Sequence, residues 1–156
     1  MKSKGLPISI LWQKAMPTIL ILLIWAMTAC HKQTYHHSYQ PVNSTGWHKN
    51  DTLIYTLTTP LAPGQTYGLE VGIRHKDSYK YRDIWLTAEK DTLHFHLADS
   101  IGNWVGKGIG NLRHHTFHTT FNATGDTMRA IRITHIMQHN PLPDIDHIGI
   151  RIYEKH

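Results

Sequence analysis

The sequence predicts an all-β protein, a single antiparallel β-sandwich of about seven to eight strands placed after an N-terminal lipoprotein signal peptide. Three observations predict it. Apolar residues recur with a period of two along most of the chain, turn-forming residues interrupt these runs at short intervals, and no segment carries an i, i+3, i+4 stripe of helical length. Period two is what a strand with one buried face requires, because successive side chains point to opposite sides of a sheet.

The elements follow in order. Leu53, Tyr55 and Leu57 alternate with Ile54, Thr56 and Thr58, and Tyr67, Leu69, Val71 and Ile73 alternate with Gly68, Glu70, Gly72 and Arg74. Ile84, Leu86 and Ala88 form a third face, and Leu93, Phe95 and Leu97 a fourth, opposite His94, His96 and Ala98. Phe117, Thr119 and Phe121 come next, then Ile131, Ile133 and His135 opposite Arg132, Thr134 and Ile136. Ile148, Ile150 and Ile152 close the chain against Gly149, Arg151 and Tyr153. Turn residues at Pro60 to Gly64, Gly125-Asp126, and Asn140-Pro141 with Pro143 separate these runs. The glycine-rich stretch 102 to 110 reads as a structured loop between two sheet segments.

Ahead of the strands stands an export signal. Lys2, Lys4 and Lys14 make a basic head, Ile19 to Met27 is uninterrupted apolar sequence, and Thr28-Ala29-Cys30 ends it. The apolar run is short of the roughly 20 residues a membrane helix needs. Cys30, the only cysteine, occupies the place of a lipobox acceptor, with Ala29 before it and a small residue at Thr28; Met27 stands where Leu is usual. The division expected is therefore a cleaved signal peptide over 1–29, a lipidated Cys30 with a polar tether over 30–45, and the sandwich over 46–156. Lipid on Cys30 (acyl chains such as palmitate) anchors the mature chain to a membrane, since each buried CH₂ adds about 0.8 kcal/mol. His31-Lys32-Gln33-Thr34 has neither an Asp at the second position nor an acidic run, which points to the periplasmic face of the outer membrane.

Composition narrows the partners. The net charge of +5 includes three signal lysines; without them 13 Lys and Arg face 11 Asp and Glu, a net of +2. That balance gives no electrostatic footprint for nucleic acid. The 127 residues from Cys30 onward suffice for one domain with its own core, and the acylated cysteine leaves no thiol for a disulfide.

The 14 histidines, all beyond the signal, are the anomaly. His94-Phe95-His96 puts two imidazoles on one strand face, which is metal-ligand geometry, and His114, His115 and His118 are expected on the next strand. The competing reading is that imidazoles fill the outward face of a sheet, and no carboxylate accompanies either cluster at a recognisable spacing. No metal ligand is assigned and no cofactor is expected beyond the lipid on Cys30. The run from Gly102 to Gly110 superficially suggests a phosphate loop, but Gly108 follows Lys107 where Ser or Thr is needed, and no helix is predicted after it. Nucleotide binding is excluded on that ground, and the glycines read as positions of positive φ or close packing. Trp47, Trp85 and Trp104 with Tyr79 and Tyr81 offer an aromatic platform for a glycan, against the alternative of core packing. Catalysis has no support: there is no cysteine nucleophile, no Gly-x-Ser-x-Gly, and Asp144 and Asp146 fall in no motif.

Over nearly the whole mature length the chain resembles the gliding-motility lipoprotein GldH family. The segments that carry the resemblance are Gly46 to Leu53, Ile73-Arg74 with Tyr79 to Leu86, Leu97-Ala98-Asp99 with Gly102 to Gly110, and in the tail His135 to Gln138, Leu142 to Ile145 and Ile148 to Ile152. Departures are Met27, His96 where the family often has Pro, and the histidine excess. The resemblance implies a non-enzymatic lipoprotein of the gliding apparatus and the linked type IX secretion system, acting by protein–protein contacts in the envelope. The alternative is a glycan- or metal-binding sandwich. For a partner-binding surface the sequence offers Trp104, Gly106, Lys107, Gly108 and Gly110, where glycines admit a partner to the backbone and Trp104 and Lys107 are anchoring residue types.

Overall fold

A computed structural model describes residues 33–155. The expected signal peptide over 1–29, Cys30 and the first residues of the expected tether lie outside the described residues. Among the described residues nine strands form in chain order: β1 (Thr34–Pro41), β2 (Leu53–Leu61), β3 (Thr66–Lys76), β4 (Asp83–Ala88), β5 (Asp91–His96), β6 (Lys107–Ile109), β7 (Leu112–Asn122), β8 (Met128–His135) and β9 (Ile145–Glu154). There is no helix among the described residues. They build two sheets, β1-β9-β3-β7-β6 and β2-β8-β4-β5, with every pairing antiparallel.

The seven alternating runs of the sequence are β2, β3, β4, β5, β7, β8 and β9, and their expected inner faces make the core. Leu69, Val71 and Ile73 of β3 and Ile148, Ile150 and Ile152 of β9 are fully buried against Tyr55 of β2, Ile131 and Ile133 of β8, and Ile84 and Leu86 of β4. The Tyr55 hydroxyl donates across the core to the Ile148 carbonyl at 2.7 Å, tying one sheet to the other. Trp47, ahead of β2, bridges Leu142 and is buried under His135.

Two strands, β1 and β6, are additional to the seven alternating runs, one more than the upper end of the expected seven to eight. β6 is three residues inside the glycine-rich stretch. β1 corrects the tether: residues 34 to 41, assigned to a polar linker, form an edge strand on β9, with Ser38 opposite Ile150 and Tyr39 opposite Gly149. The domain therefore starts at Thr34 rather than at 46. Its polarity has a physical reason. The strand lies on the flank where the two sheets meet, so its side chains cap an edge instead of entering the core. Gln40 donates to the Ile54 carbonyl of β2 at 2.7 Å, His36 sits against Thr58 and Tyr55, and Tyr35 packs edge-on to Tyr67. Such a strand is held by its ladder and by polar contacts, neither of which leaves an alternating apolar pattern.

Candidate functional site

Leu97 to Gly110 is an ordered loop. Its hub is Asp99, whose Oδ1 accepts from the backbone N–H of Ile101 (3.0 Å) and Asn103 (2.8 Å) while Oδ2 accepts from the Asn103 amide at 3.2 Å. The backbone hydrogen bond from Asn103 leads the contacts that hold the Asp99 carboxyl below its ordinary value. Ala98 and Trp104 then form an isolated bridge, and the Val105 N–H reaches the Leu97 carbonyl at 3.0 Å. Pinned this way, the loop turns three aliphatic side chains to water: Ile101 (81% exposed), Val105 (60%) and Ile109 (85%).

The five loop residues singled out from sequence have different roles. Trp104 is half-buried, its ring 4.5 Å from that of His75 and 6.3 Å from that of Tyr79, so it fastens the loop to the body. Lys107 is exposed on β6, beside a shallow groove lined by Val105, Gly106, His114, His115 and Thr116. At Gly106 a Cβ would stand 2.6 Å from the His114 carbonyl oxygen and 2.6 Å from the His115 ring, a close approach that only glycine permits. Gly110 has φ +60 in the two-residue turn between β6 and β7, and Gly108 lies against the Arg113 side chain. Both physical reasons expected for these glycines are present. The apolar tips Ile101, Val105 and Ile109 were missed, although three aliphatic residues in a loop of glycine and polar residues are a readable signal.

The histidines divide. His75, His115 and His135 are buried, against the expectation that imidazoles fill an outward face. The Nδ1–H of His75 donates to the Lys76 carbonyl at 2.8 Å. Its Nε2 is then a lone pair, and it accepts the Nε2–H of His115 at 2.9 Å. The His115 Nδ1 is left as a buried lone pair without a hydrogen-bond partner, as is Nδ1 of His135, whose Nε2–H donates to the Trp47 carbonyl at 2.8 Å. Burial holds all three below the ordinary imidazole value, His115 down to about 4 with help from the fields of His75 and His114.

His94 and His96 do not meet His114, His115 and His118, because β5 lies in one sheet and β7 in the other. They meet a carboxylate instead. Asp83 of β4 is the cross-strand partner of His96, and its Oδ1 lies 2.6 Å from His96 Nδ1 and 3.6 Å from His94 Nε2. Partial burial pushes the Asp83 carboxyl up, but the His96 hydrogen bond and the fields of His96, His94 and Arg82 outweigh it and leave it lowered. The aromatic platform does not assemble: Trp47 and Tyr79 are buried, Trp104 packs on His75, and Trp85 lies exposed on the other sheet, stacked on His94 at 3.9 Å. Asp144 accepts the Lys76 N–H through its backbone carbonyl, and Asp146 pairs with His147 at 2.6 Å.

Residues 34–152 match the sequence profile of the family described as GldH lipoprotein. The chain belongs to the GldH lipoprotein family. It is also similar to a protein named gliding motility lipoprotein GldH homolog from Christiangramia forsetii, at 25% identity over 104 residues. That match covers 61% of this chain and 62% of the relative, so the chain spans about three fifths of that relative's length. The GldH match opens at the first residue of β1 and ends inside β9. The family segment therefore takes in β1 and nearly coincides with the sandwich.

Proposed function

We propose that this GldH-family chain is a non-enzymatic lipoprotein, anchored through acylated Cys30 at the periplasmic face of the outer membrane. It serves gliding motility and the associated type IX secretion machinery by protein–protein contact. Support for the motility assignment comes from the family match and from the relative's name. Support for contact as the mode of action comes from one observation, the exposed Ile101, Val105 and Ile109 on a loop held rigid by Asp99 and Trp104. Three aliphatic side chains presented on an ordered loop are what an interface core requires and what a solvated turn avoids. Lys107 supplies a charge beside them, and Gly110, with open space where a Cβ would stand, leaves the backbone approachable there, whereas Gly106 and Gly108 let the segment pack closely on β7.

The chain's own geometry favours a protein over the bilayer as the occupant. β1 starts in the row that joins Thr34, Tyr153, Gly68 and Thr120, whereas the β6–β7 turn lies in the row of Lys76 and Leu112. Eight residues of β3 separate these rows, about 26 Å at 3.3 Å per residue. The β6–β7 turn thus lies at the end of the five-stranded sheet opposite the first residue of β1, the strand that follows the proposed lipid attachment in sequence.

The test is cross-linking and pull-down from membrane fractions with wild type, Cys30→Ala, and the triple variant Ile101→Ser, Val105→Ser, Ile109→Ser. Wild type recovers gliding or secretion components, Cys30→Ala leaves the membrane and recovers fewer, and the triple variant stays in the membrane without them. Wild type seated in the membrane with no specific protein partner overturns the reading.

A further inference from the structure

From the outer face of the four-stranded sheet we propose that Asp83, His94 and His96 form a binding site for a divalent transition-metal ion of the zinc class. The three side chains come from two hydrogen-bonded strands. Asp83 stands directly opposite His96, and His94 is two residues along on the same face. One donor atom from each lies within 4.8 Å of the other two. In a tetrahedral site with metal–ligand bonds of about 2.0–2.2 Å, donors stand about 3.3 Å apart. The pair distances of 2.6 Å and 3.6 Å from Asp83 Oδ1 bracket that value, and the two imidazole donors, within 4.8 Å of each other, have to close to it by side-chain rotation.

The ligands are held in advance of any ion. The His94 ring is stacked on Trp85 at 3.9 Å with an interplanar angle of 7°, which fixes its plane and turns Nε2 toward Asp83. The Asp83–His96 hydrogen bond fixes the other two. An ion entering the site would displace that bond, with His96 offering its Nδ1 lone pair and carrying its ring proton on Nε2. Two imidazoles and one carboxylate suit Zn²⁺, Ni²⁺ or Cu²⁺ and disfavour Ca²⁺ and Mg²⁺, which require oxygen shells. Arg82 is a cation whose field reaches Asp83, yet the carboxyl remains lowered and hence ionised at neutral pH. All three ligands reach solvent, with His96 most exposed, so a fourth coordination position is open to water or to a donor from another molecule. The metal would clip the open end of the β4–β5 hairpin, at the free edge of its sheet.

This inference does not rest on the motility reading, and its test reads metal rather than partner capture. The full chain, extracted in detergent, free of any polyhistidine tag and stripped with chelator, is titrated with ZnCl₂ by calorimetry, with CaCl₂ as the control. Wild type takes up one Zn²⁺ at micromolar or tighter affinity and ignores Ca²⁺. Asp83→Asn, His96→Gln and His94→Phe, the last of which keeps the stack on Trp85, each weaken binding about 100-fold, as loss of a ligand does. His118→Gln leaves it unchanged, and metal-free melts of all four variants match wild type. Sub-stoichiometric or millimolar binding, or an affinity indifferent to Asp83→Asn and His94→Phe, would mean adventitious capture by surface histidines and overturn the site.

Discussion

Tyr39 covers Gly149. The two residues are direct partners across β1 and β9, and a Cβ on Gly149 would collide with the Tyr39 ring, whose phenol end reaches on over Gly72 of β3. Gly72 is itself the partner of Gly149, so one row of the sheet reads Tyr39, Gly149, Gly72. An aromatic ring laid over cross-strand glycines replaces the missing side-chain packing of those positions. Arg74 adds its guanidinium 4.4 Å from the ring centroid. This clamp fastens an otherwise polar edge strand.

Removing the ring should therefore loosen β1 before the rest of the domain. Tyr39→Ala is expected to destabilise by about 2 kcal/mol, less than a fully buried aromatic because the ring is only half-buried. Gly149→Ala should cost a similar amount by forcing the ring off its seat. Amide hydrogen exchange checks this: protection must fall first over residues 34–41 in Tyr39→Ala, and uniform loss across all strands would refute the clamp.

How legible this was depends on what stabilises each element. β3 and β9 bury one face against the opposite sheet, and their alternation showed it in the residues themselves. β1 buries mainly backbone and polar edges, and its glycine clamp is built from residues more than a hundred positions apart, so periodicity could not reveal it. The Asp83–His96 pairing was hidden differently. The β4–β5 turn is Glu89-Lys90, with Glu89 at φ 54 and no Gly, Asn or Pro to announce a two-residue hairpin. Once that turn is placed, Asp83 must face His96. The buried histidine pair had no sequence signal, because His75 and His115 sit at inner positions of alternating strands where an apolar residue is expected.

That pair sets an acid limit on stability. His115 is faced by His75 and His114, His75 by Asp77, Arg113 and Asp144, and His135 by Lys49 and His48. All three have folded values below their unfolded value of about 6.5, so the unfolded chain binds the protons first. Their contribution is fully present above that value and is lost as pH falls through the window from about 6.5 to about 4. His115 alone accounts for about 2 kcal/mol between pH 7.5 and 5. The lowered carboxylates Asp77, Asp83 and Asp99 act only below about pH 4, which separates the two effects. Melts at pH 7.5 and 5 should show this loss in wild type and a much flatter response in His115→Gln, which retains a donor for His75. An equal pH slope in both would show that these imidazoles do not titrate with unfolding.

The Asp99 hub should control the order of the loop without being part of the core. Asp99→Ala removes three hydrogen bonds at once and is expected to loosen the loop locally. Exchange of the Ile101 and Asn103 amides should accelerate while strands β3 and β9 keep their protection. A global drop in melting temperature with unchanged loop exchange would contradict the hub role.

Trp104 and Ile109 separate anchoring from contact within the same loop. Trp104 packs its indole on His75 and Tyr79, so Trp104→Ala should lower stability by about 2 kcal/mol, which for a domain of this size is a fall in Tm of several degrees. Any loss of partner capture in that variant follows from a displaced loop. Ile109 is almost wholly exposed and touches no core residue's burial, so Ile109→Ser should leave Tm within about 1 °C, since surface changes away from packing stay near zero. It should nonetheless weaken recovery of envelope partners, and pairing it with Val105→Ser should weaken recovery further. Thermal melts and pull-downs on the same four proteins decide the matter. If Ile109→Ser and Val105→Ser bind as wild type while Trp104→Ala melts early, the loop serves packing alone and the contact surface lies elsewhere on the sandwich.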